Sequence, residues 1–218
     1  MSQAAGSSAV SRAERLAESR RDEILDAATE LFATLGYSDG VTQTLADRLQ
    51  VGKGTIYRYF PSKRDLFLAA ADRVMVRLRA HLQECVGPVA DPLERVEAGV
   101  RGFLAFFHAH PGYVEMLIQE RALFRDRTKP TFVVHREKNV IRWKELYRSL
   151  IGADRVRDMP VERITDVVSD LLYGTIFTSY FTGARKPVEA QARDVLDVLF
   201  NGILSDPERR RRTPPPAC

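Results

Sequence analysis

The sequence predicts an all-α protein of about nine helices, a three-helix head followed by a larger helical body. Three observations carry this. Apolar residues recur at helical spacing, as at Ile24, Ala28, Leu31, Phe32 and Leu35, and no stretch alternates at period two between turn pairs. Stop and start signals punctuate the chain at Gly36, Ser62, Gly87-Pro88, Asp91-Pro92, His110-Pro111-Gly112 and Gly183. Hydrophobic residues make up 44% and charged residues 28% of the 218, ordinary values for a soluble chain with a real core.

The first helix is expected from Arg12 to Leu35. Gly36 ends it at the C′ position, where a left-handed backbone carries no Cβ strain, and Tyr37 follows as the apolar C″ residue. A second helix, about Thr42 to Gln50, turns Leu45, Ala46 and Leu49 inward, with Thr42 placed as its N-cap. A third covers Lys53 to Tyr59. Ser62 and Asp65 form a capping box that starts a long fourth helix through about Cys85. Asp91 as N-cap and Pro92 at N1 open the fifth, which runs to about His110. The sixth spans about Tyr113 to Phe124, the seventh Lys129 to Leu150, the eighth Val161 to Thr182 and the ninth Pro187 to Leu204. The expected organisation is a loose tail (1–11), a head (12–66), a body (67–205) and a loose basic, proline-rich tail (206–218).

The totals exclude several classes. A net charge of +4 is no basic coat, so any argument for anion binding rests on where the cations sit. Cys85 and Cys218 are too few and too far apart for a disulfide framework or a zinc site. The first residues lack the apolar core of a secretion signal and no apolar run reaches membrane length, so a cytoplasmic protein is expected. His108 and His110 are two apart and face different ways on a helix; His81 and His135 are isolated. No metal pair, catalytic set or cofactor motif is legible, so no enzyme is expected. Pairs such as Glu14-Arg15 and Glu120-Arg121 read as solvated helix charges.

The segment VGKGTIYRYF (51–60) carries the most information. It is not a phosphate loop: Asp47 stands where the first glycine belongs, and Gly54 follows Lys53 in place of serine or threonine. It fits the second half of a helix-turn-helix. Ala46 is small where the two helices cross, and Leu45, Leu49, Val51, Ile56 and Phe60 pin the pair to the first helix. Left over are Thr42, Lys53, Gly54, Thr55, Tyr57, Arg58, Tyr59 and Lys63, all donors or bare backbone on or near one side. An interior helix does not gather so many hydrogen-bonding groups on one face. Gly54 lets the helix N-terminus approach base edges and phosphate closely.

The run ILDAATELFATLGYSDGVTQTLADRLQVGKGTIYRYFPSKRDLF (24–67) resembles the DNA-binding domain of the TetR family of transcriptional regulators. The resemblance implies an all-α homodimer that binds double-stranded DNA at a pseudo-palindromic operator, with a small-molecule pocket in each body. It implies a phosphate contact for Thr42, base approach for Lys53, Gly54 and Tyr57, and backbone contact or support for Thr55, Tyr59 and Lys63. Arg58 could read guanine bidentately or bind phosphate. Two departures stand out: Gln50 occupies a turn position usually held by glycine, so it must bear a left-handed backbone, and Gly52 replaces the usual capping serine.

In the body, Ile164, Val168, Leu171, Leu172, Thr175 and Ile176 on the eighth helix read as a face closing against a second copy. Val195, Leu199 and Ile203 read the same way on the ninth. By analogy, Phe107, His110, Met116, Trp143, Tyr147 and Phe177 are the candidates to line a pocket for an apolar or aromatic effector. The function expected is a ligand-responsive regulator, a repressor released from its operator. The alternative is a helical small-molecule binding protein without operator recognition.

Overall fold

The computed structural model describes residues 12–183 and 186–202. Among them the chain forms α1 (Arg12–Leu35), α2 (Val41–Arg48), α3 (Lys53–Tyr59), α4 (Lys63–Val86), α5 (Pro92–Ala109), α6 (Pro111–Leu123), α7 (Thr131–Gly152), α8 (Val161–Thr182) and α9 (Val188–Asn201), with no strand. The two expected tails, and Ile203 at the expected end of the ninth helix, lie outside the described residues. Two compact units emerge: residues 12–77 with 115–135, and residues 78–114 with 136–183 and 186–202.

In the first unit the helical period brings Ile24, Ala28, Leu31 and Phe32 to one buried face of α1. Phe32 meets Phe67 of α4 edge-on, ring centroids 5.0 Å apart. Tyr37 and Phe124 complete the cluster, at 5.2 and 5.7 Å from Phe67. Fully burying such a ring contributes about 1.5–3 kcal/mol. Gly36 sets the entry of Tyr37: its φ is +65°, and its N–H donates to the Phe32 carbonyl at 2.9 Å. The next amide, of Tyr37, donates to Gln119 Oε1 at 2.9 Å. Ser62 caps α4 as expected, its Oγ accepting from the Asp65 N–H at 3.0 Å and donating to the Asp65 carboxylate at 2.7 Å.

Glu120 overturns the expectation of a solvated charge. Its side chain is 1% exposed, and Oε1 accepts from both the N–H and the hydroxyl of Thr131, each at 2.8 Å. Arg127 pairs with the same oxygen, while Oε2 is buried without a hydrogen-bond partner. A carboxylate from α6 thus caps the start of α7 by accepting from its Thr131 amide.

In the second unit α5 packs against α8 and α9. Val96, Tyr147, Leu150, Val161 and Ile164 form a buried cluster, and burial pushes the Tyr147 hydroxyl up to about 12. This corrects part of the expected dimer face. Ile164 is spent on that cluster, and Ile176 and Val195 are likewise buried within the chain. Val168, Leu171, Leu172, Thr175 and Leu199 are half-covered. The apolar residues left exposed on α8 and α9 are Val167, Phe181, Val198 and Phe200.

Asp91 caps α5 as expected, accepting from the Leu93 and Glu94 amides at 2.8 and 3.0 Å. It also pairs with Arg155, the main reason its carboxyl is held down at about 2. The sign follows from linkage: stability from a depressed carboxyl is present above its ordinary pKa of 3.8 and is lost as the pH falls toward about 2. Asp91→Asn keeps the cap and removes the charge. It is expected to be the less stable chain at neutral pH, with the gap narrowing below about pH 4, as urea unfolding across a pH series will measure.

Candidate nucleic-acid interface

α2 and α3 are joined by a four-residue connection, Leu49 to Gly52. The Gln50 N–H donates to the Asp47 carbonyl at 3.2 Å and the Val51 N–H to the Ala46 carbonyl at 3.0 Å. This nested pair closes a Schellman motif with Gln50 at C′, where φ is +54°. The left-handed glutamine expected from the sequence is therefore present, at a cost of order 1 kcal/mol. Gly52 is the N-cap of α3 and supplies no side-chain bond, also as expected, while its carbonyl accepts from the Thr55 N–H at 2.9 Å.

The inward residues of the motif are Leu45 and Ile56, both fully buried, with Ala46 and Phe60 nearly so. They hold α3 so that Lys53, Gly54, Tyr57 and Arg58 face outward, with Thr55 and Tyr59 half-covered. A Cβ placed on Gly54 would meet no atom within 4 Å, so the start of α3 presents open backbone. The Arg58 guanidinium lies 5.3 Å over the Tyr59 ring. Along α3 (KGTIYRY) there is no acidic side chain to compete for an anion. The face can therefore donate to phosphate and to base edges through two cations, one phenol and free backbone.

Two residues sit otherwise than expected. Thr42 does not cap α2: the helix starts at Val41, its N-cap is Gly40, and no side chain closes it. The Thr42 side chain is turned inward, 4% exposed, with Oγ1 buried and lacking a partner. That burial also removes its hydroxyl from the surface where a phosphate contact was expected. Lys63 is 17% exposed; its Nζ lies 4.1 Å over the Tyr37 ring and 3.3 Å from Asp39 Oδ1. The outward polar residues of α2 that went unnoticed are Gln43, Thr44, Asp47 and Arg48, with Gln43 donating to the Asp47 carboxylate at 2.7 Å. The signal was available: Val41 and Leu45 are an i, i+4 apolar pair, which sets the inward face one residue earlier. Thr42→Val is expected to raise stability by about 1 kcal/mol, because it removes a desolvated hydroxyl and keeps its shape. Calorimetric melting measures this, and a loss of stability would mean that the hydroxyl has a partner.

In the second unit a cleft of about 110 Å³ opens between the α5–α6 junction and the facing ends of α8 and α9. Leu104, Phe107, Val114 and Ile176 supply its apolar wall; His108, Ser179, Tyr180, Lys186 and Gln191 supply its polar groups. Of the six expected pocket residues only Phe107 lines it. Tyr147 belongs to the buried cluster of its unit, and Trp143 sits on Gly99, where an added Cβ would lie 2.3 Å from the indole. His110 is exposed and stacked on Tyr113 at 4.7 Å. Phe177 stacks on Tyr173 at 6.3 Å. Met116 is fully buried in the first unit.

Comparisons with known proteins agree with the motif. Residues 24–70 match the family model described as bacterial regulatory proteins, tetR family. The chain is 33% identical over 97 residues to the HTH-type transcriptional activator FasR of Mycolicibacterium smegmatis, covering 44% of each chain. It is 38% identical over 77 residues to the HTH-type transcriptional repressor KstR of Mycobacterium tuberculosis, covering 35% of each. The chain thus spans less than half the length of either relative. Among solved structures, the transcriptional regulator FadR of Bacillus subtilis in complex with stearoyl-CoA superposes with a TM-score of 0.69 at 18% identity, covering 84% of this chain and 99% of that one.

Proposed function

We propose that the chain, whose residues 24–70 match the model of bacterial regulatory proteins, tetR family, is a ligand-responsive transcriptional regulator, a repressor released from a pseudo-palindromic operator when a small molecule binds its body. The observation that carries this reading is the outward face of α3. Lys53, Tyr57, Arg58 and the bare backbone at Gly54 are held on an internally bonded turn with no acid among them. Lys53, Gly54 and Tyr57 approach bases; Thr55, Tyr59, Arg58 and Lys63 serve the DNA backbone or support the face.

A homodimer pairs two such faces. The apolar residues exposed on α8 and α9, Val167, Phe181, Val198 and Phe200, are the surface that a second copy covers. Two recognition helices then fall about one helical turn of DNA, or a multiple, apart. The relatives carry both regulatory signs in their names, activator and repressor; repression is the family's commoner mode. Among the described residues no helix is long and apolar enough to cross a membrane, and the site of action is the cytoplasm, where the DNA is.

The test is selection of bound DNA from a random pool by the full chain. Enrichment of one two-fold symmetric sequence is expected. A pool that stays unenriched would overturn the reading and favour a binder without operator recognition.

A further inference from the structure

We infer that the cleft in the second unit is the effector site and that it takes a small amphipathic carboxylate, a ring or short branched chain bearing one acid group. The inference rests on the regulator reading only for what binding does to the operator, not for the binding itself. Three features of the cleft point the same way. First, its lining is mixed: Leu104, Phe107, Val114 and Ile176 supply hydrocarbon, while Lys186, His108 and Gln191 supply polar groups. Second, among the described residues no aspartate or glutamate lines it, so Lys186 and His108 meet no described lining acid. Third, α9 starts at the cleft: Pro187 is its N-cap and contributes no side-chain bond, and Gln191 in its opening turns lines the cavity. The amides of that helix start add to Lys186, which stands just before it, while Glu189 of the first turn is paired with Arg101.

Lys186 is held only loosely. Its Nζ is 3.0 Å from Asp194 Oδ2, with both side chains more than half exposed. Such a pair is weak, so a ligand carboxylate can take the ammonium over without breaking a buried interaction. Ser179 already accepts from the Gln191 amide at 2.7 Å, which leaves its own O–H to donate toward the cavity. The size sets the rest of the ligand. A cavity of about 150 Å³ accepts benzene, so about 110 Å³ with an open mouth suits one ring or a short branched chain whose acid group sits at the rim. The effector expected from the sequence, merely apolar or aromatic, is thereby sharpened to an anion.

The experiment is isothermal titration calorimetry of the full chain with phenylacetate, isovalerate and the neutral phenylacetamide. Phenylacetate or isovalerate is expected to bind, with phenylacetamide at least tenfold weaker than phenylacetate. Lys186→Gln is expected to weaken acid binding about tenfold. Asp194→Asn, which frees Lys186, is expected to tighten it about threefold, a gain that no folding defect produces. Absence of heat with both acids, equal affinity for the amide, or unchanged affinity in both variants would each overturn the inference. Mobility shift of the selected DNA by the ligand-free chain separates the two readings. A shift without acid binding sinks the cleft and keeps the regulator; acid binding without a shift does the reverse.

Discussion

Tyr57→Ala and Lys53→Ala are each expected to weaken binding to the selected operator about 30-fold or more while leaving thermal stability nearly unchanged. Both side chains are exposed on α3 and take no part in the core beneath it, so their loss in the free protein falls in the range of surface substitutions, within about 0.5 kcal/mol. On DNA the account is different. A residue that meets a base edge is worth roughly 1–3 kcal/mol, and a symmetric dimer loses it twice, so roughly 2–6 kcal/mol is at stake. Fluorescence anisotropy with labelled operator measures the affinity, and scanning calorimetry the stability. Unchanged affinity in both variants would take α3 out of the interface.

Glu120→Ala is expected to cost about 3 kcal/mol of stability by urea unfolding. The carboxylate is buried and receives three donors at one oxygen: the Thr131 amide, the Thr131 hydroxyl and Arg127. Removing one partner of a buried charge pair commonly costs 3–5 kcal/mol, and Arg127, being 29% exposed, can recover some hydration, which sets the value at the low end. Glu120→Gln keeps the accepting oxygen and should cost about half as much. A loss below about 1 kcal/mol in the alanine variant would mean that the start of α7 does not depend on this residue.

Features set by local chemistry were legible in the sequence. The bounds of α1, α3 and α8 follow from apolar periodicity cut by Gly36, Gly52 and Gly183. Ser62 with Asp65, and Asp91 with Pro92, announce helix starts because a cap is a bond between near neighbours in the chain. The strained turn was readable only through the resemblance: it implies a glycine at that place, so Gln50 had to adopt a positive φ, and it does. Contacts between distant segments were not legible. Glu120 beside Arg121 looks like any solvated pair until Thr131 and Arg127 close over it. Periodicity at Ile164, Ile176 and Val195 shows that a face is covered, but the cover is the chain's own core and not the second copy expected there. The cleft was missed for a related reason. Its polar residues, His108, Ser179, Lys186 and Gln191, carry no periodic signal and are brought together only by the fold.

The central claim is that α3 enters the major groove of DNA. Methylation interference on the selected operator tests it most directly, because dimethyl sulfate modifies guanine at N7, on the major-groove edge. The account predicts that methylation at guanines in both half-sites blocks binding of the full chain, symmetrically about the centre. Binding that is indifferent to N7 methylation throughout the protected region would contradict it.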